Sequence, residues 1–153
     1  LNGNAVGASG GVLFGLTLSH RRNEVIRALL EGVTFELRKQ FEILEGEGLE
    51  AKEVRTIGGA AKSPFWLQLK ADITKKKIVR PEVIEGSSLG AAVLAGIGVG
   101  AYRDAINGVQ HTFREKAVYQ NKKVESRLYD RYYQVYKRMR PTFQGLFKDI
   151  AVE

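Results

Sequence analysis

Glu53-Val54-Arg55-Thr56-Ile57-Gly58-Gly59-Ala60-Ala61-Lys62-Ser63-Pro64-Phe65-Trp66-Leu67-Gln68-Leu69-Lys70-Ala71-Asp72 is the stretch whose reading decides the fold. Val54 to Ile57 is a short β-branched run and predicts a strand. Gly58 and Gly59 follow with no side chain in the way. Ser63 is a good N-cap and Pro64 fits the first helical position, where a missing N–H costs nothing, so an amphipathic helix opens there. Strand, bare loop and helix start make one unit. In an open α/β sheet, ligands sit in the crevice beyond the carboxyl ends of the strands, and a helix N-terminus there offers free N–H groups and a positive dipole end. The stretch therefore reads first as a nucleotide or phosphate site.

The rest of the chain is consistent with one domain over residues 1–153. At 44% hydrophobic and 27% charged residues it has the composition of a globular domain, and its length suffices to bury about 70% of the unfolded surface. It has no cysteine and two separated histidines, His20 and His111. This excludes a disulfide framework, a thiolate metal site and a cysteine nucleophile, and the separation of the histidines argues against a His-based metal site, so no metal ligands are expected. No window approaches a membrane span and no apolar leader follows a charged start, so neither a membrane partner nor export is expected and the cytoplasm is the expected compartment. The opening, Leu1 and then the small residues from Asn2 to Gly11, reads as the middle of something longer, that is, a fragment. The net charge of +7 raises the question of nucleic acid. The clusters Arg21-Arg22, Lys75-Lys76-Lys77, Lys122-Lys123 and Lys137-Arg138 with Arg140 are scattered over different elements, are expected to lack interleaved exposed aromatics and have acidic neighbours. They read as solvated faces, and only lysines near the glycine loop are candidates to help hold an anion.

Working outward from the loop, Gly11 to Leu18 is an apolar run that reads as a strand or as a loop laid on the core. Ser19 or Asn23 can cap the helix that follows. Its apolar positions Ile26, Leu30, Val33, Leu37, Phe41 and Leu44 keep helical spacing, so Asn23 to Leu44 is a helix about 33 Å long that Gly46 and Gly48 stop. Gly32 within it predicts close approach to another backbone. The helix after Ser63 buries Phe65 or Trp66, Leu69 and Ile73 and frays into Lys75 to Lys77, whose charge suits a helix C-terminus. Ile78 to Arg80 is a second short strand ended by Pro81. Leu89 to Gly100 is apolar on all sides, which predicts a buried helix against the sheet beneath the glycine loop. Tyr102 to Asn107 is a short helix, and Val118-Tyr119 a short edge strand. From Glu125 to about Ile150 a last helix places Leu128 or Tyr129, Tyr132, Tyr136 and Met139 inward, with Pro141 kinking or dividing it.

Helices alternating with strands around a Gly-Gly turn is an α/β pattern, and four blocks within it resemble the FGGY carbohydrate kinases. Gly15-Leu16-Thr17 with His20 resembles that family's "GLT…H" segment. Arg27-Ala28-Leu29-Leu30-Glu31-Gly32-Val33 is similar to its "RAxLEGV" helix. Ile57 to Trp66 resembles the adenosine-binding "GGGAKSPxW" segment, and Glu85 to Ala92 the "ExxALGAA" block. The four stand in the right order over nearly the whole chain, and the look is nearest to the xylulokinase and gluconate kinase branches.

The resemblance implies an incomplete actin-like ATPase (ribonuclease H-like) lobe, helix-rich with a short mixed sheet. It also implies the C-terminal part of an enzyme that moves the ATP γ-phosphate to a hydroxyl of a xylulose-like or gluconate-like sugar, with Mg²⁺ carried by the nucleotide phosphates. By the same resemblance, Gly58 and Gly59 let ribose and phosphates approach the backbone, Ser63 lies by the adenine, Ala60 and Lys62 line the loop, and Phe65 walls it. Ala60 stands where many members have a third glycine, and a methyl should be tolerated there. No catalytic residue is expected in these 153 residues, because the sugar-binding lobe, its general-base aspartate and the upstream phosphate loops have no counterpart; the chain alone should not catalyse transfer. A homodimer, as is common in the family, would suit the tyrosine-rich last helix.

The plainer readings weigh against single residues. A Gly-Gly pair taken alone is more often a simple turn, and only the four blocks together reverse that. The histidines read as surface or capping residues. Glu31 and Asp72 read as solvated or paired with Arg27, Lys70 or Lys76, and Trp66 and the tyrosines as core or interface. The alternative function is a non-catalytic binding or assembly module that uses the basic C-terminal helices.

Overall fold

The structure, a computed structural model, describes residues 11–149. The opening segment Asn2 to Gly10 and the expected helix end at Ile150 lie outside the described residues. The element order is α1 (Arg22–Gly46), β1 (Glu53–Arg55), a 3₁₀ turn (Gly59–Lys62), α2 (Pro64–Thr74), β2 (Lys77–Pro81), α3 (Gly86–Gly98), α4 (Ala105–Thr112), β3 (Glu115–Tyr119) and α5 (Lys123–Asp149).

The three strands lie in the order β1-β2-β3. β1 pairs with β2 in parallel, Val54 beside Ile78, and β2 pairs with β3 antiparallel, Ile78 beside Tyr119. The β1-α2-β2 crossover puts α2 on one face of this sheet, where Leu67 and Ala71 meet Ile78, Val54 and Tyr119. Its other face meets the helix layer, where Leu69 and Ile73 join Phe35 of α1 and Tyr129 and Tyr133 of α5. The layers are therefore sheet, α2, and then α1 with α5. The strand expected over Val54 to Ile57 is Glu53–Arg55, although Thr56 N–H still donates to Val79 O at 2.9 Å.

The long first helix forms as its periodicity predicts, but its cap and its inward face differ. Neither Ser19 nor Asn23 caps it; Arg21 precedes it and donates its backbone N–H to the Glu24 carboxylate at 3.0 Å. Thr34 and Phe35 are the buried residues, whereas Val33 is 60% exposed, because Phe35 is the residue that reaches the rings of Tyr129, Tyr133 and Tyr136, at centroid distances of 6.2, 5.8 and 5.3 Å. A Cβ on Gly32 would meet nothing within 4 Å, so no close backbone approach explains that glycine. Gly11 to Leu18 is neither a strand nor laid on the core: it is an exposed, non-regular segment.

The helix after Ser63 does not fray into the lysines. It ends at Lys75, which takes the left-handed conformation (φ 59°) with its N–H on Ala71 O at 2.9 Å, and Lys77 already belongs to β2. Trp66, not Phe65, faces the core. The helix expected to be buried against the sheet is α3, and of its residues only Val93 is buried; Leu94 is 67% exposed. It packs on α4, where a Cβ on Gly108 would come 2.5 Å from the Val93 side chain. All-round apolarity reports what a helix can pack against, and within this chain α4 covers one side. α4 itself starts at Asp104, whose carboxylate accepts from Asn107 N at 2.8 Å, and covers Ala105–Thr112 in place of Tyr102 to Asn107. α5 runs on through Pro141 undivided. Its buried tyrosines are Tyr129 and Tyr133, and Tyr132 is half-exposed.

Candidate functional site

The glycine loop leaves the carboxyl end of β1, beside the carboxyl end of the parallel β2. Gly58 makes the turn with φ 72° and ψ −161°, a backbone region essentially confined to glycine. Its N–H donates to Ile84 O at 2.7 Å, which ties the loop to the segment leading into α3. Gly58 O then accepts from Ala61 N at 3.1 Å, closing the 3₁₀ turn Gly59–Lys62. A Cβ on Gly58 or Gly59 would meet no atom within 4 Å, so both backbones face open space. Close on one side and open on the other, this surface lets a ligand reach the main chain.

Ser63 holds the start of α2: its hydroxyl accepts from Trp66 N at 3.3 Å, and its carbonyl accepts from Leu67 N at 3.0 Å. Gly58, Gly59, Ala60, Lys62 and Ser63 thus form one contiguous turn, with Lys62 exposed and Ala61 between them buried. Phe65 stands on the first turn of α2, half-exposed, with the Arg27 guanidinium 5.8 Å from its ring centroid. Arg27 is itself fixed. It bonds Glu31 at 2.8 Å and Tyr129 OH at 2.8 Å, and Tyr129 OH donates to Glu31 at 2.9 Å. Glu31, first, and then Tyr129 hold the Arg27 guanidinium above its ordinary range.

The other blocks fall nearby or serve structure. Thr17 N–H donates to His20 Nδ1 at 2.9 Å, so this histidine closes its own turn. Glu31 is paired with Arg27 as its spacing allows. Asp72 is not solvated and pairs with neither Lys70 nor Lys76: it is buried and accepts from Lys122 N at 2.7 Å and Gln68 Nε2 at 3.0 Å, joining α2 to the start of α5. Lys75 to Lys77 sit at the far end of α2 from the loop and are spent on Asp130, Glu45 and Glu53. A cavity of about 530 Å³ lies between the 13–16 segment, α1 and α5, walled by Phe14, Leu16, Arg27, Glu31 and Tyr129; the glycine loop does not line it. Among the described residues no group of three or more His, Cys, Asp or Glu could hold a metal ion, and no helix is long and apolar enough to cross a membrane.

A family model described as the FGGY family of carbohydrate kinases, C-terminal domain, matches residues 4–99, which include the glycine loop and α3. The chain belongs to the FGGY family of carbohydrate kinases. A xylulose kinase of Staphylococcus epidermidis is 34% identical over 140 residues, which is 92% of this chain and 28% of that protein. A glycerol kinase of Shewanella piezotolerans is 34% identical over 136 residues, 85% of this chain and 27% of that protein. Among solved structures, a ligand-bound xylulose kinase from Lactobacillus acidophilus superposes with a TM-score of 0.82 at 26% identity, over 93% of this chain and 29% of its own. A gluconate kinase from the same organism gives 0.77 at 26%, over 89% and 27%. A Plasmodium falciparum glycerol kinase solved with ADP gives 0.66 at 30%, over 82% and 26%. The chain spans little more than a quarter of the length of these relatives. The fold is that of these sugar kinases, an incomplete actin-like ATPase lobe, helix-rich with a short mixed sheet.

Three residues beside the loop carry little or no signal in the sequence: Ile84, which bonds Gly58, and Arg27 and Thr34, which meet Phe65 and the Trp66 indole on the first turn of α2. Ile84 acts through its carbonyl, which any residue would supply. Arg27 has a sequence signal, its place in a family-like block, but its contacts at Phe65 and Tyr129 are long-range. Thr34 has none, since a threonine inside a helix carries no sign of the indole it will meet.

Proposed function

We propose that this chain is the nucleotide-holding C-terminal part of an ATP-dependent sugar kinase, with Gly58, Gly59, Ala60, Lys62, Ser63 and Phe65 forming the adenosine side of the cleft. The observation that carries the reading is the pair of open glycine backbones at the carboxyl end of a parallel strand pair, in a chain of this family. The residues fit the group: Gly58 and Gly59 present main chain where a Cβ would otherwise stand between ligand and backbone, and the half-exposed Phe65 ring and exposed Lys62 flank it. ATP supplies the γ-phosphoryl group, and Mg²⁺ on its phosphates offsets their charge.

These residues bind and orient; none of them is offered as an acid or base. The sugar, its general base and the remaining phosphate contacts belong to the part of the longer protein outside this chain, and the acceptor is a xylulose-like or gluconate-like sugar. ATP titration of the full-length protein tests the site. Gly59→Trp, which fills the open space, should abolish measurable ATP binding, and unchanged affinity would sink the assignment.

A further inference from the structure

Arg27 and Thr34 are seven residues apart on α1 and therefore share a helix face. That face meets the first turn of α2 at two consecutive residues. The Arg27 guanidinium lies over the Phe65 ring, 5.8 Å from its centroid. Thr34 accepts from the Trp66 indole, Nε1 to Oγ1 at 3.2 Å, while its own hydroxyl donates to Leu30 O at 2.7 Å. Thr34 is 1% exposed, so its hydroxyl is shielded from water. Trp66 in turn donates its backbone N–H to Ser63 Oγ, and its side chain packs against the core cluster of Phe35, Leu69, Ile73, Tyr129 and Tyr133, with the Lys70 ammonium 4.8 Å from the ring centroid. One residue thus joins α1 through its side chain to the loop-closing serine through its main chain.

From this we infer that Thr34 is a positioning residue for nucleotide binding: through Trp66 it sets the start of α2, and with it Ser63 and the glycine loop. The inference rests on the reading of that loop as the nucleotide site. A loop whose geometry is held by a neighbouring helix binds without first having to be ordered, and removing the hold shows as lost affinity.

ATP titration by calorimetry on the full-length protein tests it. Thr34→Val keeps the shape of the side chain and removes the hydroxyl, and it should weaken ATP binding severalfold, up to roughly tenfold, the most by which losing one hydrogen bond of about 1 kcal/mol can shift the loop away from its binding geometry. Thr34→Ser, which keeps the hydroxyl, should bind ATP within about twofold of the wild type. A purely packing role predicts the reverse order, because valine preserves the volume better than serine. Trp66→Phe removes the indole N–H while keeping an aromatic ring and should reproduce the loss; it decides the matter if Thr34→Val does not fold. ATP affinity unchanged in Thr34→Val or Trp66→Phe, or as weak in Thr34→Ser as in Thr34→Val, overturns the inference. Gly59→Trp separates the two levels. If it too binds ATP normally, the nucleotide reading itself falls; if it abolishes binding while the Thr34 and Trp66 variants do not weaken it, only the brace falls.

Discussion

Replacing Gly58 by alanine puts a Cβ on a backbone at φ 72° and ψ −161°. That region is essentially glycine-only, and holding another residue there costs of order 1–3 kcal/mol. No neighbour adds to this, since the new Cβ would meet nothing within 4 Å; the whole effect is conformational. Gly59 is the contrast. It is equally open, but it begins the 3₁₀ turn and is not among the glycines with positive φ. Alanine there removes freedom from the unfolded chain alone and should stabilise by about 0.4–1 kcal/mol. Two adjacent glycines, both without neighbours, are thus expected to respond with opposite signs. Equilibrium urea unfolding reads the difference as a shift of midpoint at constant slope, and the melting point of Gly58→Ala should fall by roughly 3–9 °C. Were Gly58→Ala as stable as the wild type, the turn would not need the conformation assigned to it, and the account of the loop would be wrong.

Lys75 is the one non-glycine residue with positive φ among the described residues. Lys75→Gly relieves about 1–2 kcal/mol of strain but adds about 0.4–1 kcal/mol of freedom to the unfolded chain and gives up an exposed pair with Asp130 worth a few tenths, so a net gain of about 0.5 kcal/mol is expected in urea unfolding. Burial, reinforced by the bond to Glu31 and opposed by Arg27, pushes the Tyr129 phenol up to about 12. A raised folded-state value means that its contribution to stability is intact below the usual tyrosine range near 10 and is lost as pH rises toward about 12; Tyr129→Phe should remove one late phenol from the ultraviolet absorbance titration, leaving Tyr133, which burial also pushes up, and lessen that alkaline loss. Asp72→Ala removes a buried carboxylate that accepts from Lys122 N at 2.7 Å and Gln68 Nε2 at 3.0 Å and should cost about 1–3 kcal/mol, with Asp72→Asn recovering much of it, as unfolding midpoints would show.

What could be read in the sequence was local. Ser63, Pro64 and the two glycines act within a few residues of themselves, so cap, helix start and turn could be placed before any contact was known. The period of α1 likewise gave a helix, but its inward face turned on which residue meets the tyrosines of α5, about a hundred residues away, and Phe35 rather than Val33 is that residue. Asp72 misled for the same reason: a carboxylate on a helix looks solvated until Lys122 arrives above it. α3 is the sharpest case. Its composition states that it can be covered on every side, and composition cannot state by what.

The same distinction explains how a loop of small residues can be a well-defined surface. α2 is buried on both faces, with Leu67 and Ala71 toward the sheet and Leu69 and Ile73 toward α1 and α5. A helix gripped on one face can slide or tilt in its groove, whereas one gripped on two opposite faces has few ways to move without opening a core. Its first turn is therefore held by the packing further along the helix as well as by α1 beside it, and Ser63, Phe65 and the glycines of the candidate site adjoin that turn. Sites on elements held this way are more precise than sites on free loops. The loop needs freedom at one residue only, Gly58, where the chain reverses, and the remaining order comes from α2 behind it and α1 beside it.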